Sequence, residues 1–267
     1  MEGESLWLGR LRQAVRWLMI ATVGLAALLI LWLIISNNLL GGEVGMYEAV
    51  RPHGRPIVAI MLTALVLGVV VSGVYLSDWR GVIEIKHGGF FDLVSLVCSR
   101  IAMICVAFIV LVMFYEVIAR YVFSEGTRWA NELSKWIAGF VFLFSGLYAM
   151  QQRSHIRIYI LYDMMPRWAK KSADVFSVFL LWVFAFCVIW GGYNEAVAKF
   201  LRGETYGTAW DPPIPATIKP AIIIIIIMVA IQALSNLIAD WSKAEEHHSP
   251  LDDIDETEIE NIRRTLK

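Results

Sequence analysis

Residues 101–150 read IAMICVAFIV LVMFYEVIAR YVFSEGTRWA NELSKWIAGF VFLFSGLYAM. Two apolar runs flank a short polar stretch, and each run approaches the roughly 20 residues that a helix needs to cross the hydrocarbon core of a bilayer. Lipid offers the backbone no hydrogen-bond partners, so an isolated apolar run of this length is expected to be helical. The stretch therefore predicts two transmembrane helices joined by a short loop.

The same pattern extends over most of the chain. Hydrophobic residues make up 58% of the 267 residues, and the mean hydropathy is positive, which excludes an ordinary soluble domain. We predict an all-α integral membrane protein with six transmembrane helices. Their predicted ranges are 17–36, 57–76, 101–118, 133–151, 175–193 and 221–239.

The first predicted helix is preceded by Arg10, Arg12 and Arg16, as the apolar core of a signal peptide would be. Its apolar run is longer than a signal peptide needs and no small-x-small cleavage site follows it, so we interpret it as a retained helix. Lys and Arg are more frequent in the loops on the N-terminal side of the membrane than in the loops on the other side. Because cytoplasmic loops carry such an excess, both termini are predicted to be cytoplasmic.

Three regions of the chain differ in composition. Residues 1–80 form a predicted N-terminal membrane extension of two helices, and residues 81–241 form a predicted four-helix membrane domain. Charged and apolar residues are mixed before the third span, which predicts an interfacial helix around residues 90–97 that merges into that span. Residues 242–267 are acidic and are predicted to be a disordered cytoplasmic tail.

The loop before the last span is rich in proline. It contains Trp210-Asp211-Pro212-Pro213-Ile214-Pro215, and proline both fixes φ and removes a backbone donor. We predict a stiff, extended segment at the membrane surface, with Trp210 at the level of the headgroups. The alternative is a simple stop signal between two helices.

Ionisable residues lie toward the ends of the predicted spans. Three pairs have close helical spacing: Glu116 with Arg120, Glu132 with Lys135, and Glu195 with Lys199. Such pairs either mark helix ends in the headgroups or form a polar belt that contacts other subunits. A self-sufficient ion-coupled transporter usually needs ionisable groups or broken helices within the membrane. The pattern therefore favours a chain that assists a transport protein.

Residue types used in catalysis form no recognisable motif. The histidines lie in predicted loops or in the tail, the cysteines lie in or near apolar spans, and the sequence has no Gly-x-Ser-x-Gly and no Cys-x-x-Cys. We expect no enzymatic activity, no cofactor, no metal site and no nucleic-acid partner. Three classes remain: a transporter subunit, a stand-alone channel or small exporter, and a membrane anchor or assembly subunit of an unrelated complex.

A series of short motifs occurs between about residues 95 and 241. They are Arg120-Tyr121-Val122-Phe123, Arg128-Trp129, Glu132, Gly146, His155-Ile156, Pro166, and Trp210 through Pro215. In this order and spacing they resemble the DctQ-type small membrane subunit of TRAP (tripartite ATP-independent periplasmic) transporters. Two features depart from that pattern: Tyr159 stands where an acidic residue usually follows the His-Ile pair, and two extra spans precede the four-helix core, as in longer members.

The resemblance implies a role, partners and a location. The small subunit is a scaffold in the bacterial inner membrane, a soluble periplasmic protein captures the solute, usually an organic acid, and a large multi-span subunit imports it with sodium. The implied candidates for subunit contacts are Arg120, Arg128, Trp129, Glu132, Gly146, His155, Trp210, Pro213 and Pro215. We also expect small residues of the fourth span to face the large subunit, because close backbone approach supplies the packing energy between helices in lipid. These residues are Gly139, Ser145, Gly146 and Ala149.

Overall fold

The computed structural model describes residues 5–42, 44–51, 54–79, 84, 88–153 and 165–241. Within these ranges it contains six long helices and no strand. They are α1 (Arg12–Leu39), α2 (Pro56–Ser77), α3 (Phe90–Tyr121), α4 (Ala130–Gln151), α5 (Arg167–Arg202) and α6 (Ile214–Asp240). All six are long and apolar enough to cross a membrane, which confirms the predicted fold class. The predicted disordered tail lies outside the described residues.

Several helices are longer than the apolar runs that predicted them. The 32 residues of α3 and the 36 residues of α5 correspond to roughly 50 Å of helix, against a hydrocarbon core of ~30 Å. Residues 90–97, predicted as an interfacial helix, form the first turns of α3 without a break. The Asp92 carboxylate accepts a hydrogen bond from the Gly88 N–H at 2.8 Å, just before the helix begins. The position of these turns relative to lipid stays a prediction.

The helices form a layer in which neighbours pack in the order α1, α2, α3, α4, α6, α5. The first four follow chain order, but α6 packs against α4 and leaves α5 at the edge. Some residues of α6 also contact α3. The layer therefore has α1 and α5 at its two edges, and these two helices present long exposed apolar surfaces.

Glycines allow close approach at three points in this layer. A Cβ at Gly68 would lie 3.2 Å from Val23 of α1, and one at Gly73 would lie 2.6 Å from Ile101 of α3. A Cβ at Gly139 would lie 2.8 Å from the Cδ1 of Ile218 in α6. Gly139 is thus used for packing inside the chain, and the prediction that it faces the large subunit is wrong.

A buried polar cluster joins α3, α4 and α6. The Gln232 side chain donates to Asp92 Oδ1 at 2.6 Å and to Asn236 Oδ1 at 3.0 Å, while Ser95 Oγ donates to Gln232 Oε1 at 3.3 Å. The Asn236 amide donates to the Met150 carbonyl at 2.7 Å. Each polar group thereby has a partner that replaces water, as burial in an apolar layer requires.

Two faces of the layer are defined by its loops. The Trp210 face comprises residues 40–42, 44–51, 120–132 and 203–215, and the N-terminal face comprises the segments around residues 5–11, 78–89 and 152–166 as far as they are described. If the predicted orientation holds, the Trp210 face is periplasmic and the N-terminal face is cytoplasmic.

The N-terminal segment is tied to the end of α2 by Asp78. The Asp78 carboxylate is buried and accepts hydrogen bonds from Ser5 Oγ at 3.0 Å and from the N–H groups of Trp7 and Leu8 at 2.9 and 3.0 Å. The Nε of Arg12 lies 3.4 Å from its second oxygen. Burial raises the pKa of Asp78, but these hydrogen bonds and the charge of Arg12 together hold the pKa below its usual value.

We expect Asp78→Ala to release this N-terminal segment. Hydrogen bonds to a charged acceptor contribute about 1.5–3 kcal/mol each, so amide hydrogen exchange at Trp7 and Leu8 should accelerate by about tenfold to a hundredfold at neutral pH. Because the pKa of Asp78 is lowered by folding, its stabilisation is complete above the unfolded-state pKa of about 3.9 and is lost as pH falls through the folded-state value. Unchanged exchange, or an equal change in the exposed control Glu125→Gln, would contradict this assignment.

Candidate partner-binding face

The α3–α4 loop folds back onto a buried carboxylate, Glu116. Its Oε1 accepts from Arg120 Nε at 3.0 Å and from a second guanidinium nitrogen of the same residue. Its Oε2 accepts from the Thr127 N–H at 2.9 Å and from the Thr127 hydroxyl. Ser124 turns the chain with a left-handed φ of 56°. The predicted Glu116–Arg120 pair is confirmed, and the structure adds Thr127 as its third member.

The exposed part of this loop carries two of the predicted interface residues. The Arg120 side chain is 47% exposed although it is bonded to Glu116. Arg128 is exposed and has no hydrogen-bond or ionic partner among the described residues. Trp129 stacks on Tyr115 with ring centroids 5.8 Å apart, directly before α4 begins. The loop thus presents two guanidinium groups from a fixed backbone.

Trp210 lies at the centre of the Trp210 face and is only 3% exposed. Its indole Nε1 donates to the Met46 carbonyl at 2.9 Å, in the loop between α1 and α2. Its ring packs edge-on against Trp136 of α4 at 6.4 Å, and Trp136 Nε1 donates to Thr217 Oγ1 of α6 at 2.8 Å. One side chain therefore connects the N-terminal hairpin to the four-helix core.

Arg51 makes the second connection between these regions, and sequence reasoning did not single it out. Its Nη2 donates to the carbonyl groups of Trp210 and Asp211 at 3.1 and 2.6 Å. Its Nη1 donates to the Tyr47 carbonyl at 2.8 Å, and its guanidinium lies 3.6 Å from the centroid of the Tyr47 ring. The two Nη nitrogens of the planar guanidinium together donate to three carbonyl groups, and the single ammonium of a lysine could not reach them in the same way.

Glu132 holds the α5–α6 loop against the beginning of α4. Its Oε2 accepts from Thr208 Oγ1 at 2.7 Å and from the Asp211 N–H at 3.2 Å. Lys135 is exposed and forms no salt bridge with Glu132 in the described part of the chain, so the predicted Glu132–Lys135 pair is wrong. A backbone amide in a tight loop has few other acceptors, whereas an exposed lysine is solvated by water.

Asp211 is held in a left-handed conformation with φ 57°. Its Oδ1 accepts from the Gly207 N–H at 2.6 Å. The Thr205 hydroxyl above all, together with the N–H groups of Gly207 and Thr208 and the charge of Arg51, holds the pKa of Asp211 below its usual value, against the opposing effect of partial burial. The carboxylate is therefore ionised at neutral pH and closes the loop on itself.

The proline-rich segment is shorter than predicted. α6 begins at Ile214, so Pro213 precedes the helix and Pro215 occupies its first turn. The prediction of an extended segment through Pro215 is thus wrong at its C-terminal end. A proline in the first turn withholds an N–H that the helix does not use, which makes the position favourable. Pro220 also lies inside α6, where it withholds one hydrogen bond of the helix.

Charged residues at the end of α5 form a small network. Lys199 Nζ lies 3.5 Å from Glu195 Oε1, which confirms the predicted pair, but it is closer to Glu204 Oε1, at 2.7 Å. Glu195 also pairs with Lys219 of α6. The hydrogen bond from Lys199 above all lowers the pKa of Glu204. These pairs are solvent-exposed, so their contribution to stability is small.

Gly146 lies apart from the Trp210 face. A Cβ placed there would have no neighbouring atom within 4 Å, so the middle of α4 is an open surface around Gly146, Ser145 and Phe142. His155, another predicted interface residue, lies outside the described residues. The predicted site residues that the structure describes therefore separate into two regions, the Trp210 face and the open surface of α4.

Neither region has the chemistry of a catalytic centre. Among the described residues, no group of three or more His, Cys, Asp or Glu side chains could hold a metal ion. Asp, Glu, Lys and Arg do not occur in the central stretches of the six helices, which are residues 17–39, 57–77, 101–115, 136–151, 175–194 and 220–239. What the geometry provides is a pair of loops, α1–α2 and α5–α6, fixed to each other and to the beginning of α4.

Fold and surface together define a multi-pass helical membrane protein with loops bonded to one another on the Trp210 face. The family model for the DctQ component of tripartite ATP-independent periplasmic transporters matches residues 109–243, and the chain belongs to this family. It is thus the small membrane component of a TRAP transporter, and the family is not an enzyme family. No match is found among curated proteins or among solved structures.

The match begins within α3 and extends past the end of α6. The matched range starts at residue 109, later than the predicted start near residue 95, and it ends at residue 243, close to the predicted end at 241. α1, α2 and the first half of α3 lie outside it, as expected for a long form with an N-terminal extension. Met46 and Arg51, which bond to the Trp210 loop, belong to this extension.

Proposed function

We propose that this chain is the scaffold of a TRAP-type importer in the bacterial inner membrane. A large sodium-coupled membrane subunit carries the solute, and a periplasmic protein delivers it, with an organic acid as the expected solute class. The observation that supports this most directly is a contrast between the Trp210 face and the spans. On that face the α1–α2 and α5–α6 loops are bonded to each other and to the beginning of α4, whereas the central stretches of the spans contain no Asp, Glu, Lys or Arg. Such a chain is better suited to binding and positioning another subunit than to transporting an ion or solute itself.

The first experiment is recovery of the full-length protein from native membranes in mild detergent, followed by mass spectrometry of the proteins that accompany it. The proposal expects a large multi-span protein at about one copy per chain. Recovery of this chain alone, under conditions that preserve other membrane complexes, would contradict the scaffold role. A channel or exporter would then be tested by reconstituting the chain alone.

The exposed charges of the Trp210 face are proposed to position the partners. We expect Arg120→Glu to reduce solute uptake by roughly tenfold, because it places a carboxylate beside buried Glu116 and reverses the charge presented to a partner. Glu132→Arg should act similarly by releasing Thr208 and Asp211. Both variants should still insert into the membrane, since the apolar helices are unchanged.

The measurement is uptake of labelled solute by cells, normalised to the amount of the variant in the membrane. Glu125→Lys is the control, because Glu125 is exposed in the same loop and its side chain bonds to no described residue. Uptake at the wild-type level in both Arg120→Glu and Glu132→Arg would remove these residues from the mechanism.

A further inference from the structure

An open groove lies on the N-terminal face, between the beginning of α5 and the end of α6. Its volume is about 430 Å³. It is lined by Lys171, Ser172, Val175, Phe176, Phe179 and Trp241. It is at the opposite end of the helices from the Trp210 face, and the proposed scaffold role makes no use of it.

The groove lies on a row of α5 side chains that changes from basic to apolar, and this row begins at Arg167, one turn before the lining residues. Arg167, Lys171, Val175 and Phe179 follow one another at intervals of four residues, so their side chains lie in a row along the helix. Two basic residues occupy the end nearest the loop, and two apolar residues continue toward the middle of the membrane. From Arg167 to Phe179 the row spans roughly 18 Å, close to one leaflet of a ~30 Å hydrocarbon core.

The basic end of the groove is held in place. The Lys171 ammonium lies 4.7 Å from the centroid of the Trp241 ring, a cation–π distance. Arg167 is exposed, whereas its neighbour Lys170 is buried. The Ser172 hydroxyl donates to the Trp168 carbonyl at 2.9 Å, so it is not the donor that binds an anion here. Arg167 and Lys171 therefore both have accessible surface at one end of the apolar groove.

We propose that this groove binds one molecule of an anionic phospholipid. Its phosphate lies against Arg167 and Lys171, and one acyl chain lies along Val175, Phe176 and Phe179. Basic residues at the membrane surface attract anionic headgroups, and the apolar row continues in the direction that the acyl chain takes. The order of charge and apolar surface along α5 matches the order of headgroup and chain in the lipid.

Two other occupants fit the groove less well. Residues 242–267 follow Trp241 and are rich in Asp and Glu, so they could pair with the two cations, but they offer few apolar side chains for Phe176 and Phe179. A transmembrane helix of another protein could cover the apolar row but would leave Arg167 and Lys171 without an anion. Only an amphiphilic anion satisfies both ends.

The test is native mass spectrometry of the full-length protein reconstituted with equal amounts of phosphatidylglycerol and phosphatidylcholine. For the wild type we expect one retained phosphatidylglycerol, in preference to phosphatidylcholine. In the double variant Arg167→Gln with Lys171→Gln, this preference should fall by about fivefold for each basic residue removed. Val175→Trp should abolish retention by filling the groove while keeping both charges. Arg10→Gln with Arg16→Gln, which removes two exposed cations from the same face beside α1, should leave the preference unchanged.

A photoreactive phenylalanine analogue at position 176 then identifies what occupies the groove in native membranes. Capture of a phospholipid supports the proposal. Capture of a peptide from residues 242–267 or of a second protein would overturn it, as would equal loss of lipid preference in the groove variant and in the Arg10 and Arg16 control. The outcome is independent of whether a large subunit is recovered with the chain.

Discussion

Trp210→Ala is expected to lower the free energy of unfolding by about 3–5 kcal/mol, the usual cost of truncating a buried tryptophan. The indole is 3% exposed, packs against Trp136 and donates to the Met46 carbonyl. Its removal leaves a cavity and an unpaired carbonyl at the junction of the N-terminal hairpin and the core. The thermal midpoint of the purified protein should fall by roughly 10 °C.

A graded variant separates the two contributions of this side chain. Trp210→Phe keeps an aromatic ring against Trp136 but removes the Nε1 donor to Met46, so its expected cost is about 1 kcal/mol. The reporter is a thiol-reactive dye, used in a Cys187→Ser background because Cys187 is exposed, that reacts with the partly buried Cys98 and Cys105 as the protein unfolds.

Trp190→Ala is the matched control, because Trp190 is 78% exposed on the edge helix α5. Its midpoint should stay within a few degrees of the wild-type value. If Trp190→Ala and Trp210→Ala lowered the midpoint equally, Trp210 would not be the centre of the face. If Trp210→Phe lowered the midpoint as much as Trp210→Ala, most of the stabilisation would come from the hydrogen bond to Met46.

The helices were predictable because lipid leaves an apolar chain a single way to satisfy its backbone. Local pairs were predictable in part. Glu116 and Arg120 are four residues apart on one helix and do pair, but Glu132 and Lys135 do not. The Glu132 carboxylate bonds instead to Thr208 and to a backbone amide 79 residues away, and spacing along one helix contains no information about that loop.

The connection between the extension and the core was not predictable for the same reason. Arg51 bonds to the Trp210 carbonyl across 159 residues of sequence. In the sequence it is one basic residue in a polar loop, and its partners are main-chain carbonyl groups, which every residue possesses. The only hint in the sequence is Tyr47, four residues before Arg51, because an aromatic residue and an arginine at that spacing can meet on a helical turn. In the structure the Tyr47 ring does stack on the Arg51 guanidinium.

Gly139 and Gly146 show that the pattern of one helix does not reveal which of its positions a neighbouring helix covers. They are seven residues apart, so they lie nearly in line on α4, and both were predicted to face the large subunit. In the structure, Ile218 of α6 covers Gly139, whereas Gly146 is open. Only the position of the neighbouring helix distinguishes them, and that position depends on the loop that Trp210 and Glu132 hold.

This difference yields the sharpest test of assembly. Gly146→Leu is expected to leave the isolated chain as stable as the wild type, because nothing lies within 4 Å of the new Cβ and leucine favours a helix more than glycine does. Recovery of the large subunit with this variant should nevertheless fall by about tenfold or more, since a bulky side chain prevents close approach of a partner helix. Gly139→Leu should instead destabilise the isolated chain, because its Cβ would lie 2.8 Å from Ile218.

The control for lipid-facing positions is Gly24→Leu in α1, which also has no atom within 4 Å of its Cβ and lies outside the matched residues 109–243. It should change neither chain stability nor recovery of the large subunit. Comparing the three variants separates a damaged fold from a damaged contact, because only Gly146→Leu is expected to lose the partner while keeping the thermal midpoint. Full recovery with Gly146→Leu would place the open surface of α4 against lipid, and the contact with the large subunit would then have to be sought on the Trp210 face.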